Sequence, residues 1–192
     1  MNRREALKRT AGLTGFAVTT TAGMGFLSGC EPTGDPDWEP KFLTSDEVNH
    51  VSAIADMILP KTDTPGALEL HVPEFIDLML KDNYPEEDQI RFREGLSAFN
   101  KYVSEDYDKE YYRCSNEEKN SIIKNQTDRS VQIQKSTGKK DFYLIINELT
   151  LLGYFSSEYV MTNMLNYHPV ATRYEGCIPL NEGDKLYVDN NV

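Results

Sequence analysis

The chain has 192 residues, with 20 Lys and Arg against 31 Asp and Glu and a formal charge of −11. Setting aside residues 1–29, where Arg3, Arg4, Lys8 and Arg9 face Glu5 alone, leaves 16 basic and 30 acidic residues, a formal charge of −14. A surface of that sign repels nucleic-acid phosphates and anionic headgroups, which excludes both as direct partners of the protein body. About 150 ordered residues bury roughly 70% of an unfolded chain's surface, sufficient for one core.

Residues 1–29 read as an export signal. Met1 to Thr10 is basic, and Ala11 to Leu27 is mildly apolar, with four glycines and four threonines among its 17 positions. That stretch is too short and too weakly apolar for a membrane span. Leu27, Ser28 and Gly29 precede Cys30 in the pattern of a bacterial lipobox, which makes Cys30 the lipidated N-terminus of the mature chain. Arg3, Arg4, Leu7 and Lys8 fit a twin-arginine signal, whereas Asn2 and Ala6 depart from its commonest residues. Arginine pairs also occur in Sec signals, so both routes stay open. The twin-arginine route moves folded proteins and suits cargo that closes around a cofactor before export.

Residues 30–41 hold Pro32, Pro36 and Pro40 with four acidic residues, the composition of a semi-extended tether from lipid to domain. Trp38 within it suits contact with either the domain or a membrane interface. From residue 42 to residue 192 the pattern is that of one mainly α domain, with five or six helices and an irregular C-terminal tail.

Thr44 and Glu47 form a capping box that opens a helix on Val48, Val51, Ile54, Ala55 and Ile58. Pro60 stops it, Pro65-Gly66 suits the centre of a type II turn, and Pro73 stands near the front of a second helix buried through Phe75, Ile76, Met79 and Leu80. Tyr84-Pro85 interrupts again. Glu86 to about Asp106 spaces Phe92, Leu96, Phe99 and Val103 as a third helix. Ser115 and Glu118 make a second capping box, predicting a short fourth helix through Ile122 and Ile123. Asn125 to Lys140 is polar without apolar periodicity and reads as a surface loop. Phe142 to Phe155 is the most apolar run, a helix for the centre of the bundle. Gly153 is expected to let Tyr154-Phe155 turn, and Ser156 to cap a sixth helix through Tyr159, Val160, Met164 and Leu165.

Chemistry is sparse along this chain. His50, His71 and His168 sit in no metal-ligand spacing and read as surface or capping residues. There is no Gly-x-Gly-x-x-Gly opening a helix, no Cys-x-x-Cys-His, and no Gly-x-Ser-x-Gly elbow. No catalytic, cofactor-binding or metal residue is singled out. With Cys30 lipidated, Cys114 and Cys177 are an even pair in an oxidising compartment, either bonded or two buried thiols. A bridge closing 63 positions contributes on the order of 4 kcal/mol in the chain-entropy account. Tyr154, Phe155 and Glu158, with Tyr174, put aromatic rings beside polar groups. That composition fits a partner surface or the capping of the bundle.

Several blocks together resemble the gluconate 2-dehydrogenase subunit 3 family. They are Ala55-Asp56 with Ile58-Leu59-Pro60, Thr62 to Ala67, Val72 with Phe75-Ile76-Asp77, Gly95-Leu96, Gly153 to Glu158, and Tyr174 to Pro179. The resemblance spans about Leu43 to Leu180. It implies a small non-catalytic subunit without a cofactor of its own, bound to a large FAD-dependent dehydrogenase of sugars or sugar acids, with a cytochrome or other carrier taking the electrons. It also implies a place in the bacterial cell envelope facing the periplasm, to which the lipobox adds a membrane anchor. The other reading is a free-standing lipoprotein binding module that uses the same domain without a dehydrogenase.

Overall fold

The computed structural model describes residues 38–168, 179 and 181–189. The expected signal at 1–29 and most of the tether lie outside them. The described part is mainly α, as expected.

Five α-helices follow in order: α1 (Ser45–Ile58), α2 (Val72–Asn83), α3 (Glu86–Tyr107), α4 (Asn116–Thr137) and α5 (Phe142–Phe155). A 3₁₀ turn at Tyr111–Arg113 joins α3 to α4, and one π turn at Val160–Met164 follows α5. Two short strands, β1 (Asn166–His168) and β2 (Tyr187–Asp189), pair in parallel with Asn166 opposite Tyr187. The sequence shows few alternating stretches, and three-residue strands are too short to reveal one.

Helix α5 touches each of the other four helices. Phe142, Tyr143, Ile145, Ile146 and Leu149 are buried along it, and they meet Val51 and Ile54 of α1, Ile76 and Leu80 of α2, and Phe92, Leu96 and Phe99 of α3 in one core. Both predicted capping boxes form: Thr44 Oγ1 accepts from Glu47 N at 3.2 Å and Ser115 Oγ accepts from Glu118 N at 3.3 Å, each glutamate bonding back to the cap. Trp38 is half-buried against the core, which settles its contact in favour of the domain.

The stretch from Asn125, expected to be a loop, is instead the second half of α4, which runs on to Thr137. A stripe at helical spacing is present, but beyond Ile122 it is polar. Ile122, Gln126 and Ser130 are buried at successive i+4 positions. Ser130 Oγ donates to Asp141 Oδ2 at 2.5 Å, Gln126 Nε2 donates to the same oxygen at 3.2 Å, and Asp141 Oδ1 caps α5 through Leu144 N at 3.1 Å. Thr127 Oγ1 and the Tyr143 hydroxyl are hydrogen-bonded at 3.0 Å. Hydrogen bonds thus replace apolar burial on this face. Gly138, at φ 72°, ends the helix by donating its N–H to Gln134 O.

Just before α1, a buried carboxylate takes hold of the incoming chain. Asp77, fully buried in α2, accepts from the backbone N–H groups of Lys41 (2.7 Å), Phe42 (3.0 Å) and Leu43 (2.6 Å). Arg93 of α3 donates to the Phe42 carbonyl and lies over its ring at 4.4 Å. Asp77→Ala leaves three N–H groups without an acceptor and is expected to destabilise the domain by about 3 kcal/mol or more, with Asp77→Asn losing less. Urea unfolding measures both; an alanine variant within about 0.5 kcal/mol of wild type would show that the clasp contributes little.

Candidate functional site

The densest set of sequence signatures lies at the corner between α1 and α2, and there the backbone comes unusually close to itself. Ala67 N donates to Leu59 O at 2.8 Å, closing the loop over Pro60 to Gly66. A Cβ on Gly66 would lie 2.6 Å from Lys61 N and 2.9 Å from Leu59 O, so the position requires glycine for space. The expected type II turn is therefore not formed. It needs positive φ at Gly66, and among the described glycines positive φ is found at Gly138 and Gly183. Glu69 reinforces the loop, accepting from Gly66 N at 2.9 Å and pairing with Lys61 at 3.1 Å. His71, at φ 55°, turns the chain into α2.

Helix α5 hooks onto the corner. Tyr154, buried to 5% exposure, donates its hydroxyl hydrogen to Pro65 O at 3.0 Å. Of its two sequence readings it takes the internal one. The helix continues through Phe155 without the turn expected at Gly153, whose hydrogen instead admits the Phe75 ring: a Cβ there would meet Cδ1 at 2.6 Å. Beyond it, Ser157 rather than Ser156 accepts from Val160 N, at 3.4 Å, and the expected sixth helix is short, helical at 158–159 and continuing as the π turn Val160–Met164. Phe155, 47% exposed, and Glu158, also exposed, stand on the surface.

His50 departs most from its sequence reading. It is fully buried, edge-on to Tyr112 at 5.0 Å, with Nε2 3.3 Å from Glu110 Oε2 and 3.7 Å from Asp46 Oδ2. Neither ring nitrogen makes a well-aligned hydrogen bond among the described residues. Burial pulls the imidazole below its usual value, outweighing Asp46, Glu110 and Glu47, which favour the charged form. Nearly two turns further along the same helix, Asp56 is pushed up, first by burial and then by Glu69, with Lys119 opposing. Burial likewise raises the Tyr111 hydroxyl and the Cys114 thiol.

Among the described residues no three His, Cys, Asp or Glu side chains are placed to hold a metal ion. A cavity of about 360 Å³ opens between the start of α3 and the α4–α5 connection, lined in part by Tyr84, Asp88, Arg91, Lys139 and Lys140. Its cations are already engaged: Arg91 with Asp88 at 2.5 Å, Lys139 with Glu87 at 2.7 Å, and Lys140 with Glu148.

The model of the family described as gluconate 2-dehydrogenase subunit 3 matches residues 45–172. The chain belongs to the gluconate 2-dehydrogenase subunit 3 family. No curated protein and no solved structure matches it. The match takes in the corner, Asp77 and the end of α5, so the features just described are the family region of this subunit-3 chain, an accessory protein by type. Arg3, Arg4, Leu7, Lys8, Leu27, Ser28, Gly29, Cys30, Tyr174 and Cys177 lie outside the described residues. Cys114 is a buried free thiol 3.6 Å from Glu110 O. Asp77, His50 and the Gln126–Ser130–Asp141 network were missed as functional or structural centres, since each draws its role from partners distant in sequence.

The His50 environment predicts a pH dependence. The unfolded chain protonates His50 near pH 6.5, whereas the folded chain resists. Stability is therefore full above that value and falls as pH drops from about 7 toward the lower folded pKa. His50→Phe should flatten this loss between about pH 7 and 5.5, read as urea midpoints; parallel wild-type and variant curves would refute it.

Proposed function

We propose that this subunit-3 chain exports, matures and membrane-anchors a FAD-dependent dehydrogenase of sugars or sugar acids on the periplasmic side of a bacterial envelope. The observation that carries this reading is the family match over residues 45–172, joined to a leader that ends in Leu27-Ser28-Gly29-Cys30. In this reading the large companion binds FAD and substrate, and a cytochrome or other carrier receives the electrons. The subunit-3 chain supplies the address and the hold. A twin-arginine route fits, because flavin insertion needs a folded companion before export and the companion can travel on its partner's signal.

Anchoring follows from the physical chemistry of the two ends. The acidic body does not adhere to anionic headgroups, and no helix among the described residues is long and apolar enough to cross a membrane. Acyl chains on Cys30, at about 0.8 kcal/mol per buried CH₂, would supply a durable attachment, and residues 31–40 would give it reach.

Deleting the gene should leave the dehydrogenase unexported or inactive, measured as dye-linked sugar oxidation in the periplasmic and membrane fractions. Full periplasmic activity in the deletion strain would overturn the role. Cys30→Ala should move the activity from the membrane to the soluble fraction; activity still sedimenting with membranes would remove the anchor from the reading.

A further inference from the structure

Among the described residues, the far end of α5 leaves large apolar side chains in solvent. Leu151, Leu152 and Phe155 are 39%, 49% and 47% exposed. At helical spacing the three share an arc of about 100° on one face. Tyr159, just after the helix, is 38% exposed, and Leu68 of the corner and Leu78 of α2 are 38% and 43% exposed. The latter two stand on the very segments that the end of α5 touches: Tyr154 bonds to Pro65, and Gly153 abuts Phe75, one turn before Leu78. Single exposed leucines are ordinary, but a concentration at one end of a bundle marks an interaction surface.

The surface is held firm. Tyr154 fixes α5 to the corner, Glu69 and Ala67 fix the corner to itself, and Phe75 locks α2 against Gly153. Preorganised apolar residues lose little freedom on binding.

We propose that this face, centred on Leu152 and Phe155, is where the subunit-3 chain docks on its flavoprotein companion, against an apolar patch of that protein edged with Lys and Arg. This rests on the function proposed above. The choice of occupant follows from charge. Lys61 and Lys140 are already paired with Glu69 and Glu148, and from Cys30 on the chain carries 30 acidic against 16 basic residues. Two copies of the chain would bring like charges together at the rim, and anionic headgroups would meet the same repulsion. A basic rim on a different protein gains from it, with the leucine and phenylalanine side chains as the desolvated centre.

The test uses the full-length chain, tagged at its C-terminus, in its own host with the companion present. After extraction in mild detergent, flavin absorbance and dye-linked sugar oxidation are measured per mole of purified subunit. Leu152→Glu and Phe155→Ser should each reduce the flavin retained by roughly tenfold or more with an unchanged melting temperature, while Ile90→Glu, exposed on α3, retains it. Wild-type flavin yield in both face variants overturns the docking site and leaves the accessory function standing. A wild-type subunit that carries no flavin overturns the function, and the docking site with it. A melting temperature lowered by Leu152→Glu shows the chain's own residues covering the face. A dimer that dissociates on that substitution assigns the face to a second copy. Sedimentation of the Cys30→Ala protein with phosphatidylcholine vesicles, abolished by Leu152→Glu, assigns it to lipid. Each of these three outcomes refutes the proposal.

Discussion

Three consecutive backbone N–H groups, from Lys41, Phe42 and Leu43, end on the two oxygens of one buried side chain, that of Asp77. Such N–H groups, removed from water, need acceptors, and an extended segment ordinarily finds them on a neighbouring strand. Here the neighbour is a helix whose own carbonyls are already bonded along its axis. A carboxylate projecting from that helix supplies the missing acceptors. Aspartate is a poor residue for a helix interior, so its presence at the middle of α2 reflects this duty. Because α2 also carries Ile76 and Leu80 into the core, the segment entering the domain is tied directly to the core. The segment entering α1 is thus held by α2 through Asp77 and by α3 through Arg93, which bonds to the Phe42 carbonyl and lies over its ring.

From α2 the same logic of close backbone approach extends to the corner. Gly66 allows Lys61 N and Leu59 O to lie where a methyl group would otherwise be, and Gly153 does the same for the Phe75 ring. The two glycines stand at the two ends of one contact region, and Tyr154 bridges it to Pro65. The result is a junction of α1, α2 and α5 in which the two glycines let backbone and the Phe75 ring approach closely and Tyr154 supplies the hydrogen bond across it. That construction leaves Leu68, Leu78, Leu152 and Phe155 at its margin, positioned by a rigid backbone yet not consumed by the core.

What could be read from the sequence was whatever depends on neighbours in the chain. The capping boxes at Thr44 and Ser115, the stop at Pro60, the break at Tyr84-Pro85 and the central apolar helix from Phe142 all act within a few residues, and all are present in the structure. What could not be read depends on distant partners. The second half of α4 carries few apolar residues, and its buried face is legible only once Asp141 is known to lie opposite Gln126 and Ser130. His50 follows the same rule: its position after Val48 on α1 marks it as near the buried stripe, but its contact with Tyr112 and Glu110 comes from the 3₁₀ turn between α3 and α4. Gly66 and Gly153 were visible as special positions. Their reason, steric room rather than positive φ or a turn, belongs to the packed state.

The placement of polar and apolar residues in this domain is inverted at two points, and the inversion bears on what the molecule is for. On α4 the buried stripe beyond Ile122 is built from Gln126 and Ser130, where leucine would give more burial energy with no partner to satisfy. At the end of α5 the exposed face carries Leu151, Leu152 and Phe155, where glutamate or lysine would be more soluble. Polar residues inside fix the register of α4 against α5 through directional bonds, a gain in specificity rather than stability. Apolar residues outside gain nothing for an isolated domain and raise its tendency to aggregate. Stability of the lone domain explains neither choice. Both follow if the structure serves to hold the end of α5 at a defined orientation against another protein surface.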